Sequence, residues 1–228
     1  FATNEQAATR VNSRRRFVVS ASVLKQPVCC SSPVRVKVAA TVMLNTLLEL
    51  QRLKRLDRTG WTLRGLPNGT ESVASHSFGV GVTAMLLADE IVSRGLEVEI
   101  ERLLRMALLH DWAETRVGDM PRTATQYFGA DARKLAEGKA FADIVAGVGP
   151  TAEEYQKLYD DYEQRQSIEA RIVKAADVID LLVQAYALER AGAKGLDEFW
   201  DVATGADFQL PPVAHSVVRE VLDSLLAE

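Results

Sequence analysis

Cysteine is nearly absent from this 228-residue chain. There are two, Cys29 and Cys30, adjacent and both within the first fifth of the sequence. Neighbouring cysteines build no disulfide framework and offer no paired zinc spacing. Any metal held further along must therefore take nitrogen and oxygen ligands. Histidine is scarce as well, with His76, His110 and His215 making three. No apolar run approaches the ~18 residues that a bilayer-spanning helix requires, so no spanning segment is expected. A net charge of −4 points to neither a nucleic-acid polymer nor a membrane surface as partner.

That charge is unevenly spread. Residues 1–48 hold seven basic side chains (Arg10, Arg14, Arg15, Arg16, Lys25, Arg35 and Lys37) against the single acid Glu5, a net of +6, which leaves −10 for the other 180 residues. An Arg-rich, Ser-rich, acid-poor leader is the composition of an organelle transit peptide, and a disordered tail is the plainer alternative. The expected division is a disordered leader over 1–40 and one folded domain over 41–228, a length that buries a single core. The leader implies a plastid or mitochondrial address; without that role the protein would be cytoplasmic.

From about Thr41 the pattern is helical. MLNTLLELQRLKRL (43–56) places Leu44, Leu47, Leu50 and Leu53 on one stripe. RTGWTLRGLPNGTES (58–72) interrupts it with three glycines and a proline and reads as a loop. A helix follows over 72–94 with Val80, Ala84, Leu87 and Ile91 inward, then another over 100–115 with Leu103, Leu104, Ala107 and Leu108 inward. Residues 118–129 read as a loop. Helices are expected at 131–146, 151–163 and 167–191, the last with Ile172, Ala176, Ile179 and Val183 inward, and a final one after Pro211-Pro212. No strand alternation and no repeat is found, so the body is predicted to be all-α.

One stretch resists the core reading. ALLHDWAETRVGD (107–119) runs from apolar residues into His110-Asp111, then Glu114 and Gly118-Asp119. A buried carboxylate needs a partner. Taken alone, this is a core histidine beside solvated acids. Two further places change that. His76 lies among the small residues Ala74, Ser75, Ser77 and Gly79, and Asp177 lies on the apolar face of the longest helix. Two imidazoles and two carboxylates from three helices can converge inside a bundle.

The order His76, His110-Asp111, Asp177 resembles the HD superfamily of metal-dependent phosphohydrolases. The blocks RTGWTLRGLPNGTESVASHS, ALLHDWAETRVGDMPRT and IVKAADVIDLL resemble their counterparts in HD-domain 5′-deoxynucleotidases, among them bacterial enzymes and the eukaryotic HD domain-containing protein 2 group. The likeness runs over roughly residues 43–200 in the same order.

The resemblance implies an HD-domain helical bundle with His76, His110, Asp111 and Asp177 as ligands of one divalent ion such as cobalt or manganese. That donor set suits a divalent transition ion, which polarises a phosphoryl oxygen and acidifies water. It implies Glu114 as the acid/base residue and Asp119 as a group that positions it, the water or the substrate; apart from the resemblance, Asp119 reads as a turn cap. Arg58 or Arg64 would clamp phosphate, Trp61 would face the nucleotide, and Glu71 would support the site. In bacterial members the arginine and tryptophan are adjacent, whereas Arg58 and Trp61 are three apart, which leaves the phosphate arginine open. Lys174, one turn before Asp177, reads either as a group that neutralises charge at the site or as a solvated lysine. Two-metal members need more histidines than this body has, so one ion is expected.

The implied reaction is hydrolysis of deoxyribonucleoside 5′-monophosphates, with a homodimer expected by family analogy. The alternatives are another HD phosphohydrolase, acting on triphosphates or a different phosphoester, and a non-catalytic HD-derived binding module.

Overall fold

In the computed structural model the described residues run from 33 to 227, with side chains placed from 41 onward except at 203 and 204. The leader expected over 1–40 thus lies, as far as residue 32, outside the described residues. Helix α1 spans Pro33–Leu50, earlier than the expected start near Thr41, and tightens into a 3₁₀ turn over Gln51–Lys54. A one-turn helix, α2 (Thr59–Thr62), sits inside the segment read as a loop. That segment is closed at its base: Arg58 N donates to Glu71 O at 3.0 Å and Val73 N to Leu56 O at 2.8 Å. These bonds pin the two ends of the excursion together just before α3.

Helix α3 (Val73–Ser93) starts where it does because Ser72 is extended and its hydroxyl accepts the Ser75 amide at 3.1 Å, satisfying a donor that the first turn leaves free. Then come α4 (Ile100–Leu109), α5 (Glu114–Val117), α6 (Arg122–Phe128) and α7 (Ala130–Val145). The chain continues through α8 (Ala152–Gln164), α9 (Ile168–Arg190), α10 (Asp197–Gly205) and α11 (Pro212–Leu226). Ser167 caps α9 as Ser72 caps α3, accepting the Ala170 amide at 3.1 Å. Helices α6 and α10 are short and fall in stretches where no helix was expected. Among the described residues the fold is all-α, with one isolated bridge between Asp57 and Ser72.

The centre is α9, packed against α3, α4, α8, α10 and α11. Val80, Ala84, Leu87 and Ile91 of α3 are buried as the spacing predicts, and meet Leu103, Met106 and Ala107 of α4 and Ile172, Ala176 and Ile179 of α9. Other inward assignments fail. Leu44 and Leu47 are exposed, as are Leu108 and Val183. On α4, Met106 and Leu109 take the buried positions instead; on α9, Leu182 does. A smaller apolar cluster of Trp61, Ala185, Leu196 and Phe199 lies under the excursion. No described helix is long and apolar enough to cross a membrane.

Candidate metal centre and cavity

The expected third helix is not continuous to Thr115. It ends at Leu109, and from there the amides reach three residues back rather than four: Trp112 N to Leu109 O at 3.0 Å, Glu114 N to Asp111 O at 3.1 Å, Thr115 N to Trp112 O at 3.1 Å. Three residues per turn eclipses positions i and i+3. Glu114 leaves this tighter turn close enough to Asp111 for that carboxylate's charge to act on it. Gly118 ends the segment at φ 78°, ψ 163°, a conformation open essentially to glycine alone. The turn it makes delivers Asp119.

His110 is 4% exposed and His76 1%. Each ring is fixed through Nδ1. That of His110 donates to the Ala107 carbonyl at 2.8 Å, and that of His76 lies 2.8 Å from Asp180 Oδ2. Donation from Nδ1 leaves Nε2 as the lone-pair nitrogen, the arrangement of a metal-ligating histidine. The two Nε2 atoms turn toward the same place. His110 Nε2 is 3.2 Å from Asp111 Oδ2, His76 Nε2 is 3.8 Å from that oxygen, and His76 Nε2 is 3.1 Å from Asp177 Oδ1. His76, His110 and Asp111 present ligand atoms within 4.8 Å of one another, with Asp177 entering from α9.

Chemistry tests whether a cation fits. Both Nε2 atoms and Asp111 Oδ2 are buried without a hydrogen-bond partner. Leaving such atoms unpaired costs about 1–3 kcal/mol each. One positive ion set among these atoms would satisfy them together. The residues fit a divalent metal with nitrogen and oxygen preference.

A cavity of about 460 Å³ opens beside this point, within the roughly 300–1,000 Å³ usual for small-ligand sites. Arg58, Asp111, Glu114, Asp119, Lys174 and Asp177 line it, together with Trp61 and Phe199. Arg58 reaches Asp111 Oδ2 at 3.5 Å and Asp119 Oδ1 at 3.3 Å. Burial opposes its charge, but the surrounding carboxylates hold it firmly protonated. Asp119 also accepts the Thr59 amide at 2.5 Å and the Thr59 hydroxyl at 2.7 Å. Its carboxylate thus caps α2, 60 residues upstream, rather than its own turn.

Arg64 turns elsewhere: it pairs with Glu198, donates to Gly60 O at 2.9 Å and lies over the Phe199 ring at 4.6 Å. Trp61 is 1% exposed, packs on Phe199 with ring centroids 4.5 Å apart, and donates Nε1–H to Glu71 Oε2 at 2.6 Å. Glu71 lies behind the cavity wall. Lys174 Nζ donates to Asp177 Oδ2 at 2.6 Å. His215 is exposed on α11.

Charge in this pocket is polarised. Burial would raise the Asp111 carboxyl, but His110, Arg58 and His76 hold it well below the usual carboxylate range; Lys174 and His76 do the same for Asp177. Glu114 goes the other way. Burial, then the charges of Asp111 and Asp119, push it well above the ordinary glutamate value, and its Oε2 has no hydrogen-bond partner. Two acids are pinned ionised beside one that keeps its proton.

Residues 50–205 match the family model described as HD domain. The chain belongs to the HD-domain 5′-deoxynucleotidase family. Over 157 residues it is 32% identical to the 5′-deoxynucleotidase hdd1 of Schizosaccharomyces pombe, covering 66% of this chain and 75% of that one. Over 181 residues it is 30% identical to the 5′-deoxynucleotidase HDDC2 of Homo sapiens, covering 78% and 84%. A solved structure, a conserved hypothetical protein from Pyrococcus furiosus, aligns with a TM-score of 0.70 and 34% identity over 81% of this chain and 99% of its own.

Within this HD domain, sequence reasoning missed three contributors. Tyr162 sets its ring against His110, centroids 5.4 Å apart, and donates toward Asp177 Oδ2 at 3.4 Å. Arg133, bonded to Glu137 at 2.7 Å, lines the cavity from α7. Asp180 holds His76. Tyr162 and Arg133 have no spacing relation to the motif residues, so nothing in the linear pattern singles them out.

Proposed function

We propose that this HD-domain chain is a metal-dependent 5′-deoxynucleotidase, hydrolysing deoxyribonucleoside 5′-monophosphates to deoxyribonucleoside and phosphate. One observation carries the reading: three buried ligand atoms without hydrogen-bond partners converge beside a cavity lined by Arg58 and by a glutamate whose carboxyl pKa is pushed up. His76, His110, Asp111 and Asp177 would hold the ion, with cobalt or manganese our choice. When bound, a divalent cation supplies Lewis-acid polarisation of phosphoryl oxygen and lowers the pKa of water.

The chain's own groups do the rest. Arg58, which lines the cavity beside Asp111 and Asp119, meets the phosphate oxygens with charge-assisted hydrogen bonds. Asp119 keeps it in place by gripping both Arg58 and the start of α2. Glu114 carries its proton into the cavity and delivers it to the departing 5′-oxygen, the role that a raised carboxyl pKa suits. Trp61 and Phe199 form an apolar wall whose only indole donor is already spent on Glu71. A ribose 2′-hydroxyl pressed there finds no partner, which favours deoxyribose.

Homodimerisation is part of this proposal. Phe78, Val82, Met85 and Leu86 lie exposed along one side of α3, the kind of apolar stripe that a second copy covers; light scattering tests it. The basic leader supports a plastid or mitochondrial address, tested by the mass of the mature protein from its source.

The deciding experiment is phosphate release from deoxynucleoside and ribonucleoside monophosphates and from triphosphates, across a set of divalent ions. Asp111→Ala and Glu114→Gln serve as controls. Preference for deoxynucleoside monophosphates, loss of activity with chelator, and a drop of about 10²–10⁴ in Glu114→Gln are expected. Equal activity in chelated and metal-loaded protein, or full rate in Glu114→Gln, refutes it.

A further inference from the structure

Asp180 lies on the same face of α9 as Asp177, three residues on, and the two carboxylates grip opposite edges of one ring. Asp177 Oδ1 is 3.1 Å from His76 Nε2, while Asp180 Oδ2 is 2.8 Å from His76 Nδ1. All of this is close to sealed, with His76 1% and each aspartate side chain 15% exposed. We propose that Asp180 is a positioning residue for the cation site, fixing His76 with Nε2 turned toward His110, Asp111 and Asp177, and that Gly79 is the gap that admits it.

Gly79 supplies an independent observation from the facing helix. It sits three residues after His76 on α3. A Cβ built there would stand 2.0 Å from Asp180 Oδ1 and 2.7 Å from its Cγ, well inside contact distance. With any other residue at 79, Asp180 must withdraw from the ring. The small residue therefore does local work, since it allows the carboxylate to reach a histidine one turn back.

Asp180 is a support and not a ligand of the same ion. It meets the nitrogen on the far side of the ring from the converging donors. At 2.8 Å the gap to Nδ1 is that of a hydrogen bond, and an ion between them would need about 2.0–2.2 Å to each. Glu71, whose carboxylate lies within 4.8 Å of His76 and Asp180 ligand atoms, already accepts from Trp61 at 2.6 Å. That trio is a supporting ring behind His76. Carboxylate support of a metal-bound histidine fixes its tautomer and raises its basicity, and its loss weakens binding by about 10–100-fold.

The inference rests on the proposed cation site, so the test reads cation binding apart from turnover. Cobalt and manganese dissociation constants are measured by competition with a fluorescent chelator, and the cobalt absorption spectrum records ligand geometry. Asp180→Ala is expected to weaken binding by about 10–100-fold while keeping most of kcat at saturating cation. Asp180→Asn, whose amide oxygen still accepts from Nδ1–H, is expected within a few-fold of wild type. Gly79→Ala is expected to resemble Asp180→Ala, and the double variant to be no worse than either alone, because both act through one contact.

Unchanged affinity in Asp180→Ala overturns the proposal, as do equal losses in the Asn and Ala variants, since charge alone would then explain them. Loss of turnover that saturating cation does not restore also overturns it. A wild-type chain that takes up no cation overturns the functional reading and this proposal together, whereas normal uptake in every variant overturns this one alone.

Discussion

The Glu114 amide donates to the Asp111 carbonyl at 3.1 Å, and the two acids on this tight turn act on each other's charge. Burial, then the charges of Asp111 and Asp119, keep Glu114 protonated above the ordinary glutamate range. The folded chain retains a proton that the unfolded chain releases near the usual value. Stability linked to Glu114 is therefore fully present below the unfolded pKa and is lost as pH rises through the folded one. In chelated protein, Glu114→Gln is expected to be more stable than wild type at pH 7.5, with the gap closing at pH 4. Urea titrations at both pH values check this; a gap that does not depend on pH contradicts it.

Arg58 and Arg64 separate cleanly. Arg58 lines the cavity between Asp111 and Asp119, while Arg64 is committed to Glu198, Gly60 and Phe199. Removing a charge-assisted bond to phosphate costs about 1.5–3 kcal/mol, so Arg58→Ala is expected to lower kcat/KM by roughly 10–100-fold. Arg64→Ala is expected to stay within a few-fold. Steady-state kinetics on one deoxynucleoside monophosphate decides it, and the reverse order would move the phosphate grip to Arg64.

Gly118, at φ 78° and ψ 163°, joins Glu114 to Asp119. Gly118→Ala is expected to cost about 1–3 kcal/mol, seen as a lower denaturation midpoint. It should also loosen the Asp119 hold on Thr59 and thereby raise KM. A variant with wild-type stability would show that the turn tolerates a side chain.

The buried stripe of α3 was legible because Val80, Ala84, Leu87 and Ile91 repeat at helical spacing and every one is covered. The stripe on α1 was equally periodic, yet Leu44 and Leu47 are exposed. Periodicity reports that a helix has an apolar side, not what covers it. The four proposed ligands were reachable by combining rare residue types with a family pattern. The break in the helix after Leu109 was not legible, because apolar spacing carries on past it while the amides of Trp112, Glu114, Thr115 and Arg116 turn to carbonyls three residues back. The reach of Asp119 to Thr59 spans 60 residues, which no local pattern encodes. Asp180 did leave a trace, an aspartate three after Asp177 on an apolar helix opposite a glycine three after His76, but reading it required knowing that α3 and α9 face each other.

Trp61 tests whether the apolar wall selects the sugar or only supports the fold. It is 1% exposed and its Nε1–H is bonded to Glu71 at 2.6 Å. Trp61→Ala leaves a cavity and an unpaired buried carboxylate, so stability is expected to fall by about 3–5 kcal/mol. Trp61→Phe keeps a ring against Phe199 and should lose less. If the wall also excludes the 2′-hydroxyl, the space opened in Trp61→Ala admits water that can pair with that group. The kcat/KM ratio of deoxyribonucleotide over ribonucleotide is then expected to fall toward one, while Glu71→Gln, which keeps an acceptor for the indole, retains the wild-type ratio. A ratio unchanged in Trp61→Ala despite the stability loss would make Trp61 a support of the excursion alone and place sugar selection elsewhere in the cavity.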